Sequence, residues 1–182
     1  MASNLKNLSE YKSTELNIEG ARIGIVVSEW NEEITDALAQ GAIGELKKYD
    51  IPDEDIVIKY VPGTFELATG AQYLLDIAQV DAVICLGCVI QGETRHFDFI
   101  CNASANAIAK LSLDSGDPVI FGVLTTDNQQ QALDRAGGKH GNKGVEAGIT
   151  ALKMVSLRND LLDDVDLEDL EFDEDIFLAQ DN

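Results

Sequence analysis

Four short apolar runs decide what this chain can fold into. They are ARIGIVVS (21–28), DIVIKYVP (55–62), AVICLGCVI (82–90) and PVIFGVLT (118–125). Each is rich in β-branched residues and apolar on both faces where it is strongest. Strands covered on both faces read this way, and they are the central strands of parallel sheets. Parallel neighbours need long crossovers, and helical patterns fill the gaps. Residues 32–48 set Ile34, Ala37, Leu38, Ala42 and Leu46 at helical spacing, with Lys47 and Lys48 suited to a C-terminus. Residues 64–79 repeat the pattern with Phe65, Ala68, Leu74, Leu75 and Ala78. Residues 97–112, 128–136 and 143–159 read as three more helices, the last two separated by a glycine-rich turn. This alternation predicts an α/β three-layer sandwich: a four-stranded parallel sheet with helices on both faces.

A chain of 182 residues fits one such domain. Residues 1–16 are polar and read as an N-terminal arm, 17–159 as the domain, and 160–182 as an acidic C-terminal tail. Leu16 to Ile18 suit an edge strand, in this chain or on another subunit. A sheet of four strands also gains from oligomerisation, which would bury its surroundings. The formal charge is −20, and residues 160–182 hold 11 acids with no Lys or Arg. That leaves 22 acids against all 13 basic residues in 1–159, a net of −9. So acidic a surface argues against nucleic-acid partners, which demand a basic face. The tail reads as a solvated extension. Leu167, Leu170, Phe172, Ile176, Phe177 and Leu178 among its acids leave a partner-binding reading open. No apolar stretch reaches membrane-spanning length, and the N-terminus lacks a signal peptide's apolar core. The expectation is a soluble cytoplasmic protein with no membrane partner.

Cys85 and Cys88 form a C-x-x-C, but inside a strand. Side chains alternate along a strand, so positions three apart face opposite ways. The two thiols are therefore expected buried and apart, not a disulfide or a metal site, with Cys101 a third on the next helix.

Ligands of open parallel sheets bind beyond the carboxyl ends of the strands. Those ends carry Ser28-Glu29-Trp30-Asn31, Pro62-Gly63-Thr64-Phe65-Glu66, Gln91 to His96, and Thr125-Thr126-Asp127-Asn128. All four offer polar or aromatic groups suited to a planar, hydrogen-bonding ligand. Gly92-Glu93-Thr94 leads into a helix start, where free N–H groups and the helix dipole favour an anion such as phosphate. Thr94 suits that role or plain capping. His96 suits proton transfer near neutral pH, or structural hydrogen bonds alone. A second basic cluster, Arg135, Lys139, His140 and Lys143, lies in RAGGKHGNKG. It reads as a solvated turn or as a second phosphate contact. Trp30 and Phe121 suit either core packing or stacking on a heterocycle. No Walker or dinucleotide glycine pattern is present.

These pieces add up. VSEWN, VPGTFELA, GCVIQGETRHFDFI, FGVLTTDN and RAGGKHGNKGVEAG occur in order over residues 17–158. In them the chain resembles the 6,7-dimethyl-8-ribityllumazine synthase family of riboflavin biosynthesis, and so a flavodoxin-like sheet. The resemblance implies a transferase that condenses 5-amino-6-(D-ribitylamino)uracil with 3,4-dihydroxy-2-butanone 4-phosphate, without metal or organic cofactor. It implies that Trp30, Thr64, Phe65, Glu66, Cys88, Val89, Ile90 and Phe121 bind the pyrimidine substrate. Gly92, Glu93, Thr94, Arg135 and Lys143 would bind the phosphate substrate, and His96 would be catalytic. Phe121, Arg135 and Lys143 would come from a neighbouring subunit of a pentamer. The basic turn lacks the insertion that accompanies isolated pentamers in the family, which implies a sixty-subunit icosahedral shell. Cys88 and Gln91 depart from the Thr and Arg often expected there. A non-catalytic flavin or lumazine binder and a cargo shell are the other readings of the same scaffold. Both substrates mixed with the protein discriminate them.

Overall fold

The four apolar runs become β1 (Ile23–Ser28), β2 (Ile56–Val61), β3 (Ala82–Ile90) and β4 (Val119–Thr126). A computed structural model describes residues 15–163. The arm up to residue 14 and the tail from residue 164 lie outside the described residues. All strand pairings in this sheet are parallel, in the order β2-β1-β3-β4. Central β1 is buried at every position, as a strand covered on both faces must be. On the edge strand β2, Lys59 and Tyr60 are exposed.

Helices α1 (Glu32–Lys48) and α5 (Lys143–Asp163) cover one face of the sheet, and α2 (Leu67–Asp76) and α3 (His96–Ser115) the other. Two apolar cores result. One holds Ile23, Ile25, Val27, Leu38, Leu46, Ile84, Leu86 and Leu152. The other holds Val26, Leu67, Leu74, Val83, Cys85 and Ile108. Burying one Leu or Ile of this kind contributes about 1.5–3 kcal/mol.

The helix expected over 64–79 divides. Thr64–Glu66 forms a 3₁₀ turn before α2 begins. The last helix runs on to Asp163, four residues past its expected end. There Asn17 is tied to it: Ser156 Oγ accepts from the Asn17 backbone N–H at 2.9 Å, and Asn159 Nδ2 donates to Asn17 O at 2.9 Å. Leu16 and Ile18 consequently pack against the α1/α5 core, and residues 15–18 form no strand among the described residues.

The glycine-rich turn after α4 (Gln129–Leu133) also gains structure. It becomes a two-stranded antiparallel hairpin, β5 (Ala136–Gly138) and β6 (Gly141–Asn142). Gly137 and Gly141 take φ of 118° and 82°, a region that costs other residues strain. Asn142 pins the hairpin to α1 by donating to Ala37 O at 2.8 Å. Gly144 lets α5 meet α1 there, because a Cβ would lie 1.8 Å from Leu38 O. At the amino ends of the strands, Arg158 bridges Asp81 (2.9 Å) and Asp117 (3.0 Å). No helix among the described residues is long and apolar enough to cross a membrane.

Candidate active site

The chain leaves β1 towards β2, then returns past β1 to place β3 on its other side. A crevice opens at the carboxyl ends of β1 and β3 wherever a sheet reverses in this way. Here it holds a cavity of about 630 Å³. The turn after β1 supplies Trp30 and Asn31. The end of β3 supplies Cys88, Val89 and Ile90. The turn after β2 supplies Gly63, Thr64, Phe65 and Glu66, and α3 supplies His96 and Ile100.

The two aromatic rings stand out against the buried core. Trp30 is 73% exposed and Phe65 57%. For Trp30 this removes the core-packing reading. The Phe65 turn is held from beneath. Gly87 lacks the Cβ that would meet Thr64 Oγ1 at 2.8 Å, and Ser104 Oγ donates to Thr64 O at 3.2 Å. Thr64 is thus buried, while Phe65 and Glu66 are exposed along the cavity.

Cys85 and Cys88 pack in opposite cores, as strand alternation requires. Burial pushes the Cys88 thiol up to about 11 and raises Cys85 further. Neither is a thiolate near neutral pH, so neither is a nucleophile. Cys101, half-buried, is also raised, by burial and then by the charge of Asp98.

His96 opens α3 and lines the cavity. The exposed loop Gly92-Glu93-Thr94 joins Ile90 to that helix start. Thr94 Oγ1 accepts from the His96 backbone N–H at 3.4 Å, a long capping bond. Arg95 turns to solvent, where its Nε lies 3.5 Å from Asp98.

Six expected residues do not line this cavity: Gly92, Glu93 and Thr94 form the exposed loop beside it, and Phe121, Arg135 and Lys143 lie elsewhere. Phe121 and Lys143 line a second concavity of about 350 Å³, with Lys143 Nζ 2.6 Å from Glu146. Phe121 lies mid-strand, where core packing is the default. It sits on edge strand β4, however, and is 38% exposed. Arg135 Nη1 donates to Gln131 O at 2.9 Å, between α4 and β5. Within one chain the structure therefore gathers Trp30, Thr64, Phe65, Glu66, Cys88, Val89, Ile90 and His96, and leaves Phe121, Arg135 and Lys143 apart. The sequence reading gave no individual role to Asn31, Gly63 or Ile100, which also line the cavity. Asn31 and Gly63 sat inside its own motifs, VSEWN and VPGTFELA.

A family model described as 6,7-dimethyl-8-ribityllumazine synthase matches residues 20–159. The chain belongs to the 6,7-dimethyl-8-ribityllumazine synthase family. A 6,7-dimethyl-8-ribityllumazine synthase from Cytophaga hutchinsonii is 62% identical over 156 residues, covering 86% of this chain and 98% of the relative. Another from Flavobacterium johnsoniae is 53% identical over 159 residues, covering 87% and 84%. A third from Parabacteroides distasonis is 50% identical over 157 residues, covering 86% and 98%. Every cavity residue falls inside the span matched by the lumazine synthase model.

Proposed function

We propose that this chain joins 5-amino-6-(D-ribitylamino)uracil to 3,4-dihydroxy-2-butanone 4-phosphate, forming 6,7-dimethyl-8-ribityllumazine, phosphate and water. The observation that carries this reading is the cavity at the β1/β3 crevice, which gathers eight of the expected site residues within a chain of this family. An amine of the pyrimidine attacks the ketone and an imine forms. Phosphate leaves, the ring closes, and a second water is lost.

The geometry supports a division of labour. Trp30 offers a flat exposed ring for the pyrimidine to stack on. The strand end Cys88–Ile90 offers backbone donors and acceptors for the ring's edge, and Thr64-Phe65-Glu66 faces it across the cavity. His96 moves protons at the imine and at the carbon that loses one when phosphate departs. Gly92, Glu93 and Thr94 hold the phosphate by their amides at the start of α3. Arg135 and Lys143 neutralise it from a neighbouring subunit, and Phe121 completes the pyrimidine pocket from there. Holding two reactants together supplies much of the remaining acceleration.

The reading extends to assembly and domain limits: pentamers with sites shared between neighbours, closing into an icosahedral shell, with the arm and acidic tail as extensions of the catalytic domain. The test is direct. Mixing both substrates with the protein should raise the lumazine absorbance. Absence of product at every pH and substrate ratio would reject the reading.

A further inference from the structure

Asn31 sits at a join that no strand completes. It follows β1 and precedes α1, and its backbone is left-handed, with φ 63° and ψ 43°. Asparagine tolerates that region better than most residues. Of the three non-glycine residues with positive φ among those described, Asn31, Asp50 and Gln79, Asn31 alone lines the cavity. It also stands at the N-cap of α1, where an asparagine side chain ordinarily accepts from the helix's free N–H groups. Here the carboxamide makes no capping bond. Its Nδ2 instead donates to Cys88 O at 2.9 Å, across 57 residues of chain.

The register of the sheet explains that choice. β1 pairs with β3 as far as Val27 opposite Leu86. Had β1 continued straight, residue 29 would face Cys88, and the N–H of residue 30 would meet the Cys88 carbonyl. The chain turns away instead, at Trp30 and Asn31. Alternate residues of β3 turn their backbone groups to β4, as the region of Gln91 shows by donating to Thr126 O at 2.8 Å. Cys88 and Ile90 therefore face the β1 side, beyond the last β1 partner. The Asn31 amide takes the place of the missing strand N–H. It fixes the Cys88 carbonyl and the Trp30 turn in one frame.

We infer that Asn31 is a positioning residue, which sets affinity for the planar pyrimidine substrate by holding the Trp30 ring in register with the backbone of Cys88–Ile90. This rests on the proposed function above, and it adds a residue that acts through others. The phosphate loop, 92–94, lies beyond this join, so the effect belongs to one substrate.

Asn31→Gly tests it, since glycine keeps the positive φ, removes the donor and costs no capping bond. Asn31→Asp keeps the shape and sets an acceptor against the Cys88 carbonyl. Wild-type protein that converts both substrates secures the underlying reading first. The glycine variant should then raise KM for the pyrimidine roughly tenfold, the worth of one lost hydrogen bond. KM for the phosphorylated ketone should change less than about twofold. The aspartate variant should lose more. Trp30 is the only tryptophan, so its fluorescence anisotropy reports the ligand-free turn, and it should fall in both variants. An unchanged pyrimidine KM, equal changes in both KM values, or unchanged Trp30 anisotropy would each overturn the proposal. If either variant loses its far-UV circular dichroism, the other decides.

Discussion

His96 is the one imidazole that faces the cavity, at the point where the 92–94 loop becomes α3. Its neighbour Asp98 lies against Arg95 and not against the imidazole, so in the proposed role His96 would act without a carboxylate partner from its own turn. Water reaches an exposed helix start and can carry protons in its place. His96→Ala should therefore slow turnover by about 10²-fold or less, with substrate binding little changed. Steady-state rates across pH check this, and an unaltered pH–rate profile would remove His96 from the chemistry. At this scale the sequence was informative where chemistry and chain position coincide. Trp30, Glu66 and His96 follow strand ends, and strand ends are where such sheets bind ligands. Asn31, read only as part of the strand end after β1, had no legible role for the opposite reason. Its role depends on where β1 stops pairing with β3, and a register between strands is not written in either strand alone. Thr64 was read as a ligand group; it lines the cavity, and it is also buried by packing over Gly87. Only the close approach of two segments reveals that.

At the scale of elements, alternating apolar runs and helical patterns made the four strands and five helices legible. Their joins were not. The 137–144 segment, half of it glycine, read as a solvated turn or a phosphate contact, with no hairpin in view. The structure uses those glycines for a hairpin and a tight helix contact. Gly144→Ala would push a methyl into Leu38 O, where α5 crosses α1. Backbone cannot yield as a side chain can, so the loss should be about 3 kcal/mol or more. Urea unfolding measures it, and a loss below about 1 kcal/mol would mean that α5 shifts freely. The same segment carries a pH signature. Asp134 is held below the ordinary carboxylate value by a hydrogen bond from Gln130, then by Lys139, with the charges of Lys139 and His140 adding. The native carboxyl gives up its proton more readily than the unfolded one. Its stabilisation is thus complete above the unfolded value near 3.9, and is lost as pH falls through the lowered native value. Asp134→Asn should be less stable than wild type by a constant amount near neutral pH, and should match it in strong acid. A difference that grows towards acid would reverse the sign and refute the assignment.

At the scale of the molecule, the cavity is lined by only part of the expected site. Phe121 and Lys143 lie together on another concave surface, and Arg135 packs against α4, so no single chain presents all of these groups to the Trp30 cavity. The proposed pentamer, as a head-to-tail ring, would resolve this, because each interface would then join the cavity side of one subunit to the Phe121 side of the next. Two variants together give a test that neither gives alone. Arg135→Ala should impair use of the phosphorylated ketone far more than pyrimidine binding, and His96→Ala should slow turnover. If His96 and Arg135 of one site come from different subunits, co-expressing the two variants in equal amounts rebuilds intact sites. In a heterologous ring that mixes at random, about a quarter of interfaces carry both native residues. Mixed rings should then show roughly a quarter of wild-type activity, well above the average of the two variants purified separately. Activity equal to that average, in rings shown by mass to contain both chains, would place His96 and Arg135 in the same subunit's site. A monomer in sedimentation would end the shared-site model outright.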